Sequence, residues 1–246
     1  MTDNGRTHAR IRITVDLVIF TVRQESLQVL LVKRGNPPYR GRLALPGGFM
    51  RDHENLDGAA RRELLEETGL GGPDVPHLEQ LGAYSDPGRD PRGRVVTVSY
   101  LALAPDLPAP TAGSDAAAAV WEPVEPLLSG GDRLAFDHDV ILRDALEHAR
   151  RMLENTTLAT AFCERDFTMG DLKRVYEAVW GVPLDLRNFY RKVNRTEGFV
   201  VPTGEKRSLE TGRPALLYRK GPATLLYPPM TRASHSGHES SAQSPK

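Results

Sequence analysis

Gly47-Gly48, five residues to Glu54, seven more, and then Arg62-Glu63-Leu64-Leu65-Glu66-Glu67-Thr68-Gly69-Leu70 is the stretch that decides how this chain folds. Seven fixed positions, each at a background of about 7%, arise by chance on the order of 10⁻⁸ per start site. Chance is excluded. Leu56, Ala60 and Leu64 fall at i, i+4 and i+8, the buried stripe of a helix that Gly69 ends. Glu63, Glu66 and Glu67 stand at i, i+3 and i+4, so their carboxylates project from one helix face. Like charges so placed destabilise a helix unless hard divalent cations, bound through oxygen, neutralise them. Such ions clamp phosphates. Gly47 and Gly48 let the preceding loop bring its backbone close to a ligand, and Arg62 can hold a carboxylate by paired hydrogen bonds. A merely solvated charged face would not also supply the glycine and arginine positions.

Upstream, Ile11 to Val22 is almost wholly apolar or β-branched after Thr14, broken only by Asp16, as expected of a strand covered on both faces. Leu27 to Val32 repeats the pattern. Downstream, Val95 to Leu103 reads as a strand, Pro105 to Ala119 as loop, Val120-Trp121 as the start of a short strand and His138 to Leu153 as a helix. Sheet and helix alternate, which predicts an α/β or α+β domain with helices packed on a mixed sheet.

This segment resembles a complete Nudix box, so residues 11–155 are similar to the Nudix hydrolase family and its α/β/α sandwich. The resemblance implies Mg²⁺ or Mn²⁺ on Glu63, Glu66 and Glu67, a catalytic set completed by Glu54 and Arg62, and a metal-activated water attacking a substituted nucleoside diphosphate. Gly47, Gly48 and Phe49 would line the ligand. Glu122 and Glu125 are candidates for a catalytic base outside the box. Ser85 to Arg94, rich in Pro, Gly, Asp and Arg, resembles the substrate loop of ADP-ribose-type members. Arg89 and Arg94 would then pair with phosphates, and Asp86 or Asp90 would accept from ribose hydroxyls. An ordinary turn-rich hairpin loop is the alternative.

Charge divides the chain. Residues 1–155 carry 18 Lys and Arg against 23 Asp and Glu, whereas residues 156–227 carry 12 against 8. A basic small domain behind an acidic larger one predicts a polyanion partner for the small one only, each domain with a core of its own. A single cysteine, Cys163, excludes an internal disulfide and a multi-cysteine zinc site. The polar arm 1–10 has no apolar run of a signal peptide and no stretch nears the ~18 apolar residues of a membrane span, so a cytoplasmic protein without membrane contact is expected. Residues 228–246, serine-rich, are expected to be disordered.

Within 156–227, Thr157 to Phe162 reads as a short apolar helix and Thr168 to Asp171 as a capping box opening a helix to Trp180. Gly181-Val-Pro183 makes a turn and Asp185 caps the next helix, where Leu186, Phe189, Tyr190 and Val193 form the expected buried stripe. Its other face is Arg187, Asn188, Arg191, Lys192 and Arg195, the inventory of a major-groove reader. Strands Phe199 to Thr203 and Ala215 to Arg219 flank a loop, Gly204 to Pro214, that carries Lys206, Arg207 and Arg213 as a wing. Capped helix, tight turn, basic helix and hairpin together predict a winged helix-turn-helix. A solvated cationic face on an accessory domain is the alternative.

Phe167 to Val179, Arg187 to Val193 and Gly212 to Tyr218 resemble the DNA-binding domain of the Nudix-related transcriptional regulators, NrtR. The resemblance implies a homodimeric repressor of NAD biosynthesis or NAD-linked sugar-catabolism genes that binds a palindromic operator and responds to ADP-ribose. Several such regulators have a degraded Nudix box, whereas this one is intact. Two readings therefore stand: an ADP-ribose-controlled regulator, and an ADP-ribose pyrophosphatase with an accessory domain.

Overall fold

The computed structural model describes residues 10–69, 77–105, 116–131, 133–208 and 213–232. Residues 1–9 of the expected arm and 233–246 of the expected tail lie outside them.

β1 (Arg12–Arg23) is the centre of the first unit, and the reason is its apolar run. Val15, Leu17 and Ile19 point into a core beneath α1 (Leu56–Thr68), while Val18 and Phe20 point into a second core beneath α3 (His138–Asn155). Successive side chains leave a strand on opposite faces, so a strand buried on both must be apolar throughout. β1 pairs in parallel with β6 (Val95–Leu103), from Arg12 opposite Val95 to Phe20 opposite Leu103, and antiparallel with β2 (Ser26–Arg34). With β3 (Leu43–Ala44) and β5 (His77–Tyr84) the strand order is β3-β2-β1-β6-β5; β4 (Gly47–Phe49) adds to β1 and β7 (Ala116–Pro123) to β2. The short α2 (Val124–Ser129) follows β7. This is the expected α/β sandwich.

The second unit opens with a 3₁₀ rather than an α turn at Thr157–Phe162, then β8 (Phe167–Thr168) and α4 (Met169–Trp180). The predicted capping box is present: Thr168 Oγ1 accepts from Asp171 N and Asp171 Oδ2 accepts from Thr168 N. Gly181, at φ 71°, turns the chain toward α5 (Leu186–Arg195), which Asp185 caps. β9 (Val200–Arg207) and β10 (Ala215–Lys220) complete a three-stranded sheet in the order β8-β10-β9. The architecture is a winged helix.

The expectation of two separate cores is corrected. The core beneath α3 runs without a break from Val18, Phe20 and Leu31 of the sheet through Leu146 and Leu153 of α3 to Leu172, Val175 and Tyr176 of α4 and Phe189 of α5. α3 is long enough to bury one half against each unit. It also bonds across: Tyr176 donates to Leu153 O at 3.0 Å and Arg150 Nε to Val179 O at 2.9 Å. The start of the expected tail is ordered too, since Met230 is 2% exposed and donates its backbone N–H to Glu154 O. Met230 supplies the apolar anchor of this segment.

Candidate functional site

α1 starts where Asn55 Oδ1 accepts from Gly58 N at 2.8 Å. Behind it β4 lies in register with β1, Gly48 opposite Val15 and Gly47 opposite Asp16. A Cβ on Gly48 would lie 2.2 Å from Glu63 Oε1 and displace that carboxylate, whereas a Cβ on Gly47, at φ 156°, would lie 2.2 Å from the backbone oxygen of Val15, so glycine is required at Gly47. Glu63, Glu66 and Glu67 consequently face one cleft of about 450 Å³, together with Gly47, Gly48, Phe49 and Arg62.

Arg62 organises the carboxylates. Its Nε and Nη2 donate to Glu54 at 3.0 and 2.7 Å, its Nη1 to Glu63 at 2.6 Å and to Glu66 at 3.4 Å, and Nη2 also reaches Phe49 O. These bonds hold Glu54 down to a pKa of about 2. Burial pushes Glu63 up, and burial together with the charges of Glu63 and Glu66 pushes Glu67 up. Glu67 Oε2 is buried without a hydrogen-bond partner. Among the described residues no group of three His, Cys, Asp or Glu is already gathered to hold a metal ion, since Arg62 draws three of the carboxylates to itself. The hard oxygens here, one of them an orphaned carboxylate oxygen of Glu67, nonetheless fit a hard divalent cation.

Ion pairs within the protein hold the 85–94 loop. Arg89 is 7% exposed and donates bidentately to Asp137 at 2.8 and 2.7 Å, with Asp16 at 3.4 Å. Asp90 accepts from Arg92 side chain and backbone, Nη2 at 2.6 Å. Both line the cleft, but their charges are answered by protein partners, because the carboxylate of Asp16 in an apolar strand demands a buried cation. Arg94 donates to Ser85 O, and neither it nor Asp86 lines the cleft. Glu122 and Glu125 do not line it either. Among the other residues that line it, Arg34, Arg51, Phe136 and His138 carried no local signal, and Arg92 lies in the arginine-rich loop already singled out. Asp16 gave a local signal by interrupting the apolar run. His138 Nδ1 accepts from Leu45 N at 2.8 Å, and complete burial lowers its pKa, holding it neutral.

On α5 the buried stripe is narrower than expected: Phe189 and Val193 are buried, but Leu186 is 55% and Tyr190 43% exposed. A helix of under three turns docks on one edge, and Tyr190 instead bonds Tyr218 of β10 through the hydroxyls at 2.8 Å. Arg187, Asn188, Arg191, Lys192 and Arg195 are all exposed on the opposite face. Arg191 donates to Asn188 Oδ1 and Lys192 to Thr231 Oγ1. In the wing the strand continues to Arg207, so Lys206 and Arg207 stand in β9 and not in a loop. Lys206 and Arg213 are exposed. Arg207 is tied inward, to Asp171 at 3.1 Å, Asp166 O at 2.7 Å and Glu164 at 3.4 Å, because its strand runs beside the acidic start of α4. Residues 209–212 of the expected wing loop lie outside the described residues.

Residues 10–145 match the NUDIX domain family and residues 160–219 the NrtR DNA-binding winged helix domain family. The chain is 36% identical over 208 residues to the ADPR responsive transcriptional repressor NtrR of Acinetobacter baylyi, spanning 84% of this chain and 80% of that protein. The chain belongs to the NrtR branch of the Nudix family. Like this chain, the Shewanella oneidensis NrtR crystallised with a 27mer DNA joins the two units: it superposes with a TM-score of 0.72 at 32% identity, over 85% of this chain and 94% of that one. The ADP-ribose pyrophosphatase of Methanocaldococcus jannaschii is 40% identical over 120 residues, 48% of this chain and 64% of that protein. Among the described residues of this NrtR-type chain no helix is long and apolar enough to cross a membrane.

Proposed function

We propose that the chain is an ADP-ribose-responsive transcriptional repressor in which the Nudix unit senses the ligand and the winged helix binds a palindromic operator as a homodimer. The observation that carries this reading is one chain holding both a carboxylate-lined cleft and an exposed basic helix after a capped helix and tight turn, and it is supported by the likeness to the ADPR responsive repressor of A. baylyi and to the S. oneidensis NrtR crystallised with DNA. Arg187, Asn188, Arg191, Lys192 and Arg195 read the groove, and Lys206 and Arg213 meet the backbone from the wing. One winged helix makes too few base contacts for operator-grade specificity, which calls for a dimer.

In the cleft Glu63, Glu66 and Glu67 hold Mg²⁺ or Mn²⁺, which when bound neutralises the diphosphate and can activate water. Arg62 positions the carboxylates, and the glycine pair admits the ligand to the strand backbone. The intact carboxylate set and the M. jannaschii relative favour retained ADP-ribose hydrolysis as a second activity. α3 links the two sites, its N-cap Asp137 and first residue His138 bonded to the cleft wall and its last turns bonded to α4. Selection of genomic fragments on the purified protein, followed by footprinting, tests the reading: enriched sites carry half-sites about 10 bp or a multiple apart. Enrichment of no sequence, or full-affinity binding of an unpaired half-site, overturns it.

A further inference from the structure

Away from both the cleft and the basic helix, a cluster of titratable side chains lies where the edge strand β5 meets α3. His77 and Glu79 stand two residues apart in β5 and so share one face of the sheet. His148 of α3 reaches the same carboxylate. Its Nε2 lies 2.6 Å from Glu79 Oε1, and His77 Nε2 lies 3.4 Å from that oxygen. The three side chains are 19%, 28% and 27% exposed in chain order, so water competes little for them. His77 Nε2 is buried and makes no hydrogen bond. Buried polar atoms are nearly always paired, so an orphaned ring nitrogen beside a carboxylate marks a place for a ligand. A structural tie does not account for it: Glu79 and His148 satisfy one another, and His77 brings a second imidazole to the same oxygen without bonding it.

Ligand atoms about 2.0–2.1 Å from a tetrahedral ion stand about 3.3–3.4 Å from one another. The separation of His77 and Glu79, 3.4 Å, already has that value. His148 and Glu79 are closer, as hydrogen-bonded partners, so as they stand the three are not spread around an ion. An opening of about 0.8 Å brings that pair to ligand spacing. We propose that His77, Glu79 and His148 form a metal site, separate from the carboxylate cleft, for a divalent transition ion of the Zn²⁺ class. Two imidazoles and one carboxylate suit such an ion over Mg²⁺, which takes oxygen ligands. Binding takes the lone pair of each Nε2 and releases the proton held between His148 and Glu79. α3 runs from the cleft wall to α4, so an ion that pins it to β5 stiffens the element joining the two sites.

Calorimetric titration of the full chain with Zn²⁺ in excess Mg²⁺, which competes for the carboxylate cleft, tests this. Wild type binds Zn²⁺, and Co²⁺ in its place gives the visible bands of a four-coordinate ion. His77→Gln and His148→Gln each weaken Zn²⁺ binding about tenfold or more and abolish those bands. His148→Gln keeps a donor for Glu79 and His77→Gln loses no hydrogen bond, so without Zn²⁺ both melt close to wild type. Added Zn²⁺ raises the melting temperature of wild type and of neither variant. The double variant His235→Ala, His238→Ala keeps wild-type Zn²⁺ binding, which sets the site apart from the histidines near the end of the chain. If both glutamine variants bind Zn²⁺ as wild type does, if the double variant loses the binding, or if wild type gives no four-coordinate Co²⁺ bands, the assignment is wrong and His148 with Glu79 is a structural tie only.

Discussion

Arg89→Met separates a structural arginine from a ligand-binding one. The side chains of Arg89, Asp16 and Asp137 are 3%, 11% and 20% exposed, so the substitution strands two carboxylates, one of them 3.6 Å from neutral His138. Removing one partner of a buried ion pair costs about 3–5 kcal/mol, and the residual hydration of Asp137 puts this case near about 3 kcal/mol. With a urea m-value of about 2–3 kcal/mol/M for a chain of this size, the midpoint falls by about 1–1.5 M. Because the core beneath α3 is shared, far-UV and near-UV circular dichroism should report the same transition. Adding Asp137→Asn removes one stranded charge and recovers part of the loss. A midpoint shift under about 0.3 M, with ADP-ribose affinity lost instead, would mean that Arg89 binds phosphate and is not a structural ion-pair partner.

Glu67→Gln replaces one anionic oxygen donor by a neutral one, so the gain in ADP-ribose affinity on adding Mg²⁺ shrinks by about tenfold or more in calorimetry; an undiminished gain means the metal is held elsewhere. Arg191→Ala costs about 1–3 kcal/mol of operator binding if the residue reads a base, or lowers the salt slope by about one if it holds a phosphate; wild-type anisotropy curves at every salt concentration mean α5 is not the reader. His138 carries a lowered folded pKa from burial, so between that value and about 6.5 the unfolded chain takes up a proton the folded chain refuses. Its stabilisation is present above about pH 6.5 and lost on acidification, and His138→Asn, which keeps an acceptor for Leu45 N–H, flattens the fall of Tm between about pH 7 and 5. Equal slopes in both proteins would remove His138 from the account.

What could be read in the sequence was local. The unbroken apolar run of β1, the Thr168–Asp171 box, the Asp185 cap and the left-handed Gly69 and Gly181 each depend on neighbours a few residues away, and each has the predicted structure. The carboxylate helix was legible for the same reason, its chemistry being written at helical spacing. The partners of Arg89 and Arg207 were not, since Asp16 lies 73 residues from one and Asp171 36 residues from the other. Arginines that look free in a loop or wing can therefore be held by distant acids. β5 escaped because its residues are half-buried with no alternation, and β4 because three residues, two of them glycine, carry no strand pattern. Phe136 and Arg92, each on a loop, meet Phe49 at the end of β4 only once the sheet has assembled.

The central claim is that ligand in the carboxylate cleft controls the basic helix. It is tested most directly by fluorescence anisotropy of the protein on its labelled operator, titrated with ADP-ribose in Mg²⁺. Coupling requires the ligand to favour the DNA-free form, and couplings of this kind amount to about 5- to 150-fold. Saturating ADP-ribose is expected to raise the operator Kd by at least about fivefold, whereas an unchanged Kd at ligand concentrations that calorimetry shows to be saturating would mean that the cleft does not control the helix.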